Sequence, residues 1–300
     1  MPARRDSLGY LLLALASFLW ATNWVVGRGM RDAIPPVAMG FWRWTIVLAI
    51  LLPFALADLR GKWRVFLRHW PIFTVLGAVG TAGYNTLVYV GVAHTPATSA
   101  VLYVSMSPIL IVLISWAALR ERLSALQIGG IAISFAGIAT ISMRGQWNAL
   151  GSVGPQFTDV WLMLAMLCWA LYTVLLRWRP RELSAIGFLF GTTLFGVPIL
   201  VPFYLWELAE RGGFALNFAT VSTLLYYAVF PSVIAYLFWN SGVARVGASR
   251  AGPFFHLLPA FGAVLAVVFL GERLEAYHFV GIALILVGVY VTTLARRTSA

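Results

Sequence analysis

Residues 108–123, PILIVLISWAALRERL, are answered at residues 259–274 by PAFGAVLAVVFLGERL. In each block Glu-Arg-Leu (Glu121-Arg122-Leu123 and Glu272-Arg273-Leu274) stands thirteen residues after a proline, Pro108 or Pro259, and the blocks lie 151 positions apart. The same offset superposes Gly91-Val92-Ala93 on Gly242-Val243-Ala244, Ala97 on Ala248, Ala100 on Ala251, Gly130-Ile131-Ala132 on Gly281-Ile282-Ala283, and Gly137 on Gly288. An offset of 149 aligns the earlier parts: Trp20-Ala21 on Trp169-Ala170, Arg28 on Arg177, Phe41 on Phe190, and Pro53-Phe54 on Pro202-Phe203. The chain reads as an internal duplication, residues 1–145 and 158–300, joined by a linker over 146–157 that contains Gly151, Gly154 and Pro155.

With 61% hydrophobic residues, 10% charged residues and a mean hydropathy of +0.87, the composition excludes a water-soluble globular domain. A helix needs about 20 apolar residues to cross the hydrocarbon core. Ten such stretches are expected, near 8–27, 34–57, 70–91, 97–119, 124–143, 158–177, 184–206, 219–243, 247–270 and 275–294. Prolines 53, 108, 198, 202, 231, 253 and 259 fall inside them and predict kinks. The alternation of a transmembrane barrel strand is absent. The N-terminal basic and apolar run resembles a cleavable signal peptide, but it continues to Val26 and has a repeat copy at 158–177, so it is read as part of the fold.

The net charge of +11 is distributed by membrane side and does not point to nucleic acid. Fifteen Lys and Arg fall on loops of the N-terminal side and five on the opposite loops, with Arg43 alone inside a span. The positive-inside rule puts both termini in the cytoplasm, with a bacterial inner membrane as the expected location. Cys168 is the one cysteine, which excludes an intramolecular disulfide. Each repeat has five spans, an odd number, so the second copy starts on the opposite side from the first. The expected fold is an all-α integral membrane protein of ten helices in two inverted five-helix repeats. Substrate is then expected near the midplane, where the halves meet.

Trp-Ala in the first helix of each half, Phe41-Trp42-Arg43 in the second span, the doubled Pro-x12-Glu-Arg-Leu blocks and the Gly-x6-Gly helices that follow them (Gly130 to Gly137, Gly281 to Gly288) carry a family likeness. The chain resembles the drug/metabolite transporter superfamily in its ten-helix EamA-type branch. That resemblance implies a basket of helices exporting small metabolites or drugs, with an aromatic core similar to that of YddG-type bacterial amino-acid exporters. The arginine of the second span has no partner in the second copy, where Thr192 stands.

Trp20 and Trp169 are expected near the midplane, away from the interface where tryptophan is usually enriched. Asn23 and Gly27 share the face of Trp20, and Tyr172 and Leu176 that of Trp169. Spans three and eight add Tyr84, Asn85, Tyr236 and Asn240; spans four and nine add Tyr103, Ser107, Phe254 and His256. Together they are expected to wall an aromatic cavity with few polar groups. Two readings stay open for His256: a pH sensor, or a histidine bonded to a carbonyl freed by Pro253 or Pro259. Arg43, near the outer edge, either snorkels or binds carbonyls as a structural group, or takes a substrate carboxylate. The glycine seams read as scaffold or as a dimer face; a homodimer is allowed and not required.

Every Asp and Glu sits at a span end or in a loop, so no carboxylate is expected at mid-membrane for cation binding or proton relay. Neutral, especially large or aromatic, amino acids are the leading substrates, with other metabolites or drugs behind them. A lipid flippase, with Trp161, Trp169 and Trp178 bordering the lipid path, is the rival reading. Ser249 and His278 resemble an intramembrane protease pair but are expected on opposite sides of the membrane, on the order of 25–30 Å apart. No catalytic residue, metal or cofactor is expected. The partners expected are a small solute and membrane lipid.

Overall fold

The computed structural model describes residues 3–30, 33–94, 103–120, 124–144, 160–270 and 275–294. Both Glu-Arg-Leu blocks and the whole linker 146–157 lie outside them, as do Ala97 and Ala100. The described residues are helical, with no strand among them, and a helix lies along each of the ten expected stretches. These are α1 (Ala3–Met30), α2 (Pro36–Arg68), α3 (Trp70–Leu76, a π turn Gly77–Gly83, then Tyr84–His94), α4 (Ser107–Leu119) and α5 (Ala125–Ser142). There follow α6 (Val160–Leu175 with a 3-10 turn Leu176–Trp178), α7 (Ala185–Arg211) and α8 (Phe218–Tyr227, a π turn Ala228–Ile234, then Ala235–Val246). The last are α9 (Ala248–Ala251, a 3-10 turn Gly252–His256, then Leu257–Leu270) and α10 (Ala276–Leu294). Among the described residues seven helices are long and apolar enough to cross a membrane; Ser7–Asn23 and Ser107–Leu119 are apolar but shorter.

The expected boundaries hold to about five residues except in α4, whose helix starts at Ser107 while the expected start at 97 lies outside the described residues, and in α2, which runs on to Arg68. Its one non-helical residue is Lys62, so the break in α2 falls there and not at Pro53. Beyond the break Phe66 is buried while Trp63 and Leu67 are exposed, the pattern of a segment lying along an interface. Pro198 and Pro202 are likewise carried inside α7, whereas Pro231 and Pro253 sit in the π and 3-10 turns.

Packing follows a reciprocal scheme. Helix α1 packs on α8 and α9, and its copy α6 packs on α3 and α4; α2 packs on its own copy α7, and α5 on its own copy α10. The last pair is the closest. A Cβ on Gly130 would stand 2.6 Å from the Gly288 carbonyl oxygen, and one on Gly137 2.6 Å from that of Gly281. So Gly130 meets the copy of Gly137 and Gly137 the copy of Gly130, as in a twofold contact, and the two helices run antiparallel. Glycine lets the backbones touch where lipid supplies no hydrophobic drive. These seams are spent inside the chain, which answers the scaffold-or-dimer question for them.

The α2–α7 pair is fastened at both ends by carboxylates. Asp58, near the end of the apolar part of α2, accepts from the Ser184 N–H (2.9 Å) at the start of α7, and its other oxygen meets Lys62 Nζ at 3.0 Å. Glu207, near the end of α7, accepts from the N–H groups of Val37 (3.1 Å) and Ala38 (2.7 Å) at the start of α2. Each acid satisfies donors that a helix N-terminus leaves open and complements its dipole. Asp58 and Glu207 are 149 positions apart, the offset of the early alignment.

Gly137→Leu and Gly281→Leu are expected to cost about 1–3 kcal/mol each through overpacking, measured by unfolding in mixed detergent micelles. Gly129→Leu, whose Cβ would meet nothing within 4 Å, is the control, with a change under about 0.5 kcal/mol. Asp58→Ala and Glu207→Ala are each expected to destabilise by about 1.5–3 kcal/mol, the worth of hydrogen bonds to a charged acceptor.

Candidate functional site

Helices α1 and α6 meet through the side chains of their duplicated tryptophans. The Trp20 and Trp169 rings meet edge to face with centroids 4.9 Å apart. Around them, Trp239 lies 5.3 Å from each, Phe255 5.7 and 5.4 Å, and Tyr236 5.8 and 5.7 Å. Tyr84 (4.8 Å) and Tyr172 (5.5 Å) complete the group on the Trp169 side, and Trp44 packs on Tyr236 at 5.0 Å. Trp20, Trp169, Tyr84, Tyr172 and Tyr236 are thus brought together, with Asn240 held to the group by the Tyr172 hydroxyl at 3.0 Å. Their rings pack against one another between the helices, Trp169, Tyr172, Tyr236 and Trp239 being fully buried.

The two π turns govern the polar side of this cluster. They occupy positions 77–83 and 228–234, related by the same offset of 151. Their central carbonyls, Gly80 and Pro231, accept from side chains. The Pro231 oxygen takes Trp20 Nε1 at 2.8 Å and Arg43 Nη2 at 3.1 Å; the Gly80 oxygen takes Tyr236 OH at 2.9 Å and Asn85 Nδ2 at 3.3 Å. Trp169 Nε1, the copy of the Trp20 donor, is left with no acceptor, as are Trp44 Nε1 and Asn240 Nδ2, all of them buried.

Arg43 does not snorkel. Its side chain is 1% exposed and turned inward, where Nε donates to Ser232 Oγ and Nη1 to Asn85 Oδ1 (3.1 Å) and Tyr89 OH (2.7 Å). Aromatic faces of Trp44 and Tyr227 lie 5.5 and 5.8 Å from its guanidinium carbon. The carbonyl-binding reading holds, on the π turn of α8.

Ser107 and His256 belong to helix packing beside the cluster. Ser107 Oγ donates to the Val104 oxygen (2.9 Å), the acceptor that Pro108 leaves without its helical donor, and approaches Met166 Sδ at 2.8 Å. His256 bonds Ser134 Oγ through Nδ1 (2.5 Å) and the Ser105 carbonyl through Nε2 (2.9 Å). The carbonyl partner expected of it is therefore real, but comes from the turn before Pro108 and not from Pro253 or Pro259. Tyr103 is half-buried beside that turn. Asn23 lies at the far end of α1, where its carbonyl accepts from Tyr227 OH at 3.1 Å.

That end is closed. Ile34, Ala38, Met39, Leu224 and Tyr227 form a second buried cluster, with Tyr89, Tyr204 and Tyr226 packed against it. The opposite end, where α6 leads into α7 and α8 into α9, holds a cavity of about 1010 Å3. Thr173 lies on its wall and accepts from Trp239 Nε1 at 3.3 Å, so the cavity ends on the aromatic cluster. Ser249 lines this cavity, while His278 sits at the start of α10 with Nδ1 accepting from the Glu275 N–H at 3.0 Å. Trp161 and Trp178 are exposed but Trp169 is fully buried, so the three do not form one lipid-facing stripe.

Trp239, Phe255, Trp44 and the Arg43 partners Tyr89 and Ser232 were not singled out as site residues from the sequence. Trp239 had a signal, since it lies three residues after Tyr236 on one helical face. The Arg43 contacts had none, because Tyr89 and Ser232 lie on other helices, 46 and 189 positions away.

The profile of the EamA-like transporter family matches residues 7–143 and again 156–294. A Bacillus subtilis (strain 168) protein named "Uncharacterized transporter YetK" is 28% identical over 96% of this chain and 87% of its own. A Streptantibioticus cattleyicolor protein named "Probable terminal-alkyne amino-acid exporter" is 28% identical over 96% of this chain and 95% of its own. A crystal structure 23% identical in sequence covers 98% of this chain and 99% of its own with a TM-score of 0.79, a likeness of fold. Matched over almost its whole length, this multi-pass membrane protein belongs to the EamA-like transporter family of the drug/metabolite transporter superfamily.

Proposed function

We propose that this transporter exports small metabolites, large and aromatic neutral amino acids first among them, by alternating access around the Trp20–Trp169 crossing. The observation that carries the reading is the arrangement along one axis. The arginine-rich end holds a cavity whose wall includes Thr173, the aromatic cluster packs behind it through Trp239, and the Tyr227 cluster is buried at the far end. One relative with near-complete mutual coverage is named as an amino-acid exporter. The family profile matching twice, and the reciprocal packing of α1 with α8 and α9 and of α6 with α3 and α4, support ten crossings in two inverted repeats. The positive-inside rule assigns the open, basic end and both termini to the cytoplasm of a bacterial inner membrane.

Facilitated movement down a gradient is the favoured coupling. The buried carboxylates Asp58 and Glu207 are committed to helix N-termini at the two ends of the α2–α7 pair, and His256 is held by Ser134 and the Ser105 carbonyl. Among the described residues, the hydrogen bonds of these three groups go to partners outside the aromatic cluster, which favours transport without a proton relay.

Counterflow of a labelled amino-acid panel in proteoliposomes, with and without a pH gradient, tests this reading. Flux of a large neutral amino acid that is indifferent to the gradient is expected. Trp20→Ala with Trp169→Ala together is expected to cut it by about tenfold or more, equivalent to ~1.4 kcal/mol of lost binding. Efflux untouched by the double substitution removes the site, and lipid scrambling without solute flux in the same vesicles replaces the reading by the flippase one.

A further inference from the structure

We propose that the carboxylate of the substrate is the group this transporter recognises, and that an amino group is dispensable, so that apolar monocarboxylates are substrates alongside amino acids. The inference rests on the export reading and names the chemistry of its substrate.

The open cavity carries Arg120, Arg177, Arg179, Arg181, Arg245 and Arg250 on its wall, and among the described residues no Asp or Glu lines it. The positive-inside bias places arginines at this end but does not require them to face one cavity. Arg60, Arg64 and Arg68 belong to the same end, since the Asp58–Ser184 contact brings the end of α2 there, yet none of them lines it. A concave site with one sign of charge and low-dielectric walls raises the local concentration of the opposite charge. The cavity thus gathers anions from solution and holds off ammonium groups.

Its inner end has the same preference by hydrogen bonding. Trp239, bonded to Thr173 on the wall, packs on Trp20 and Trp169. Behind it the buried donors Trp169 Nε1, Trp44 Nε1 and Asn240 Nδ2 have no acceptor, and Arg43 is met only by neutral oxygens of Ser232, Asn85, Tyr89 and Pro231. Indole and guanidinium nitrogens donate and never accept. A carboxylate, which only accepts, repairs this surplus when the rings part. Among the described residues the buried unpartnered side-chain oxygens are Asn23 Oδ1 and the hydroxyls of Thr86, Ser115 and Ser142, all of them uncharged. An ammonium group meets no carboxylate in the cluster, and the Gly80 and Pro231 oxygens already hold two donors each.

Three probes with one ring separate the ends: L-phenylalanine, 3-phenylpropionate and 2-phenylethylamine, each measured by counterflow against protein-free vesicles. Phenylalanine and the acid are expected to exchange at rates within about threefold of each other and the amine at least about tenfold slower, a difference of ~1.4 kcal/mol. Arg179→Gln with Arg181→Gln is expected to raise the half-saturation of the acid about threefold or more at low salt and to flatten its salt dependence, because the lost term is screened. Arg120→Gln with Arg245→Gln is the second variant should the first not fold. Amine exchange as fast as that of the acid, or an unchanged salt dependence in the folded variant, overturns the inference while the export reading stands. Absence of flux for all three probes overturns both.

Discussion

In hydrocarbon every backbone carbonyl needs a partner inside the protein, and this chain uses that constraint at two equivalent places. The π turns at 77–83 and 228–234 loosen the helical ladder of α3 and α8, and their central carbonyls take partners from other helices. Through Pro231 the turn of α8 holds Trp20 of α1 and Arg43 of α2; through Gly80 the turn of α3 holds Tyr236 of α8 and its own Asn85. A regular helix at either place would leave these side chains to find other acceptors in a medium without water. A Cβ at Gly80 would also run into the Tyr172 ring, so the small residue that accommodates the turn lets α6 approach as well.

The rest of the bundle is organised so that these turns can face each other. Two helix pairs, α2 with α7 and α5 with α10, join each element to its own copy and lie across the pseudo-axis. The first pair is fastened by charge, with Asp58 and Glu207 each on the other helix's N-terminus; the second is fastened by glycine contact. Neither fastening uses the aromatic cluster. The remaining helices divide into α1 with α8 and α9, and α6 with α3 and α4, and apart from Trp44 of α2 the rings are carried by these elements. Separating the fixed pairs from the ring-bearing groups gives a frame within which the crossing of α1 and α6 can change while most of the buried surface stays in place.

Much of this was legible in the sequence because duplication converts positions into geometry. The offset of 151 that superposes Gly130 on Gly281 and Gly137 on Gly288 contains the antiparallel glycine contact, since two inverted copies of one seam can meet only head to tail. The offset of 149 also relates Asp58 to Glu207 and so contained the reciprocal caps, a signal that a reading of these acids as mere span ends passes over. Arg43 was harder. Counting residues from the outer edge allows its side chain to snorkel, and only the distant Ser232 and the carbonyl of Pro231 reveal that inward satisfaction is available. His256 shows the same limit, because a proline at 259 suggests a local partner while the actual carbonyl comes from Ser105, in the turn before α4. Hydrogen-bond partners across helices are set by tertiary approach, to which neither periodicity nor spacing has access. Whether the aromatic rings wall a cavity or fill it is likewise a property of the conformation, not of the residue list.

The two tryptophans, equivalent in sequence, are not equivalent in the fold, and the difference has a physical direction. Trp20 donates to the Pro231 carbonyl, whereas the corresponding Gly80 carbonyl is occupied by Tyr236 OH and Trp169 Nε1 has no acceptor. The position matching Tyr236 in the first copy is Asn85, too short to play the tyrosine's part, so the inequality is written into the residues. A buried unpaired N–H costs about 1–3 kcal/mol, and that cost falls on the helix whose cytoplasm-proposed end is open. The state with the arginine-lined cavity accessible therefore carries an unsatisfied donor on α6, against which a ligand oxygen has a differential gain. A ligand shifts a conformational equilibrium only by such differences between states. In the proposed alternating-access cycle, the Gly80 carbonyl held by Tyr236 and Asn85 is the acceptor that repeat symmetry would assign to Trp169.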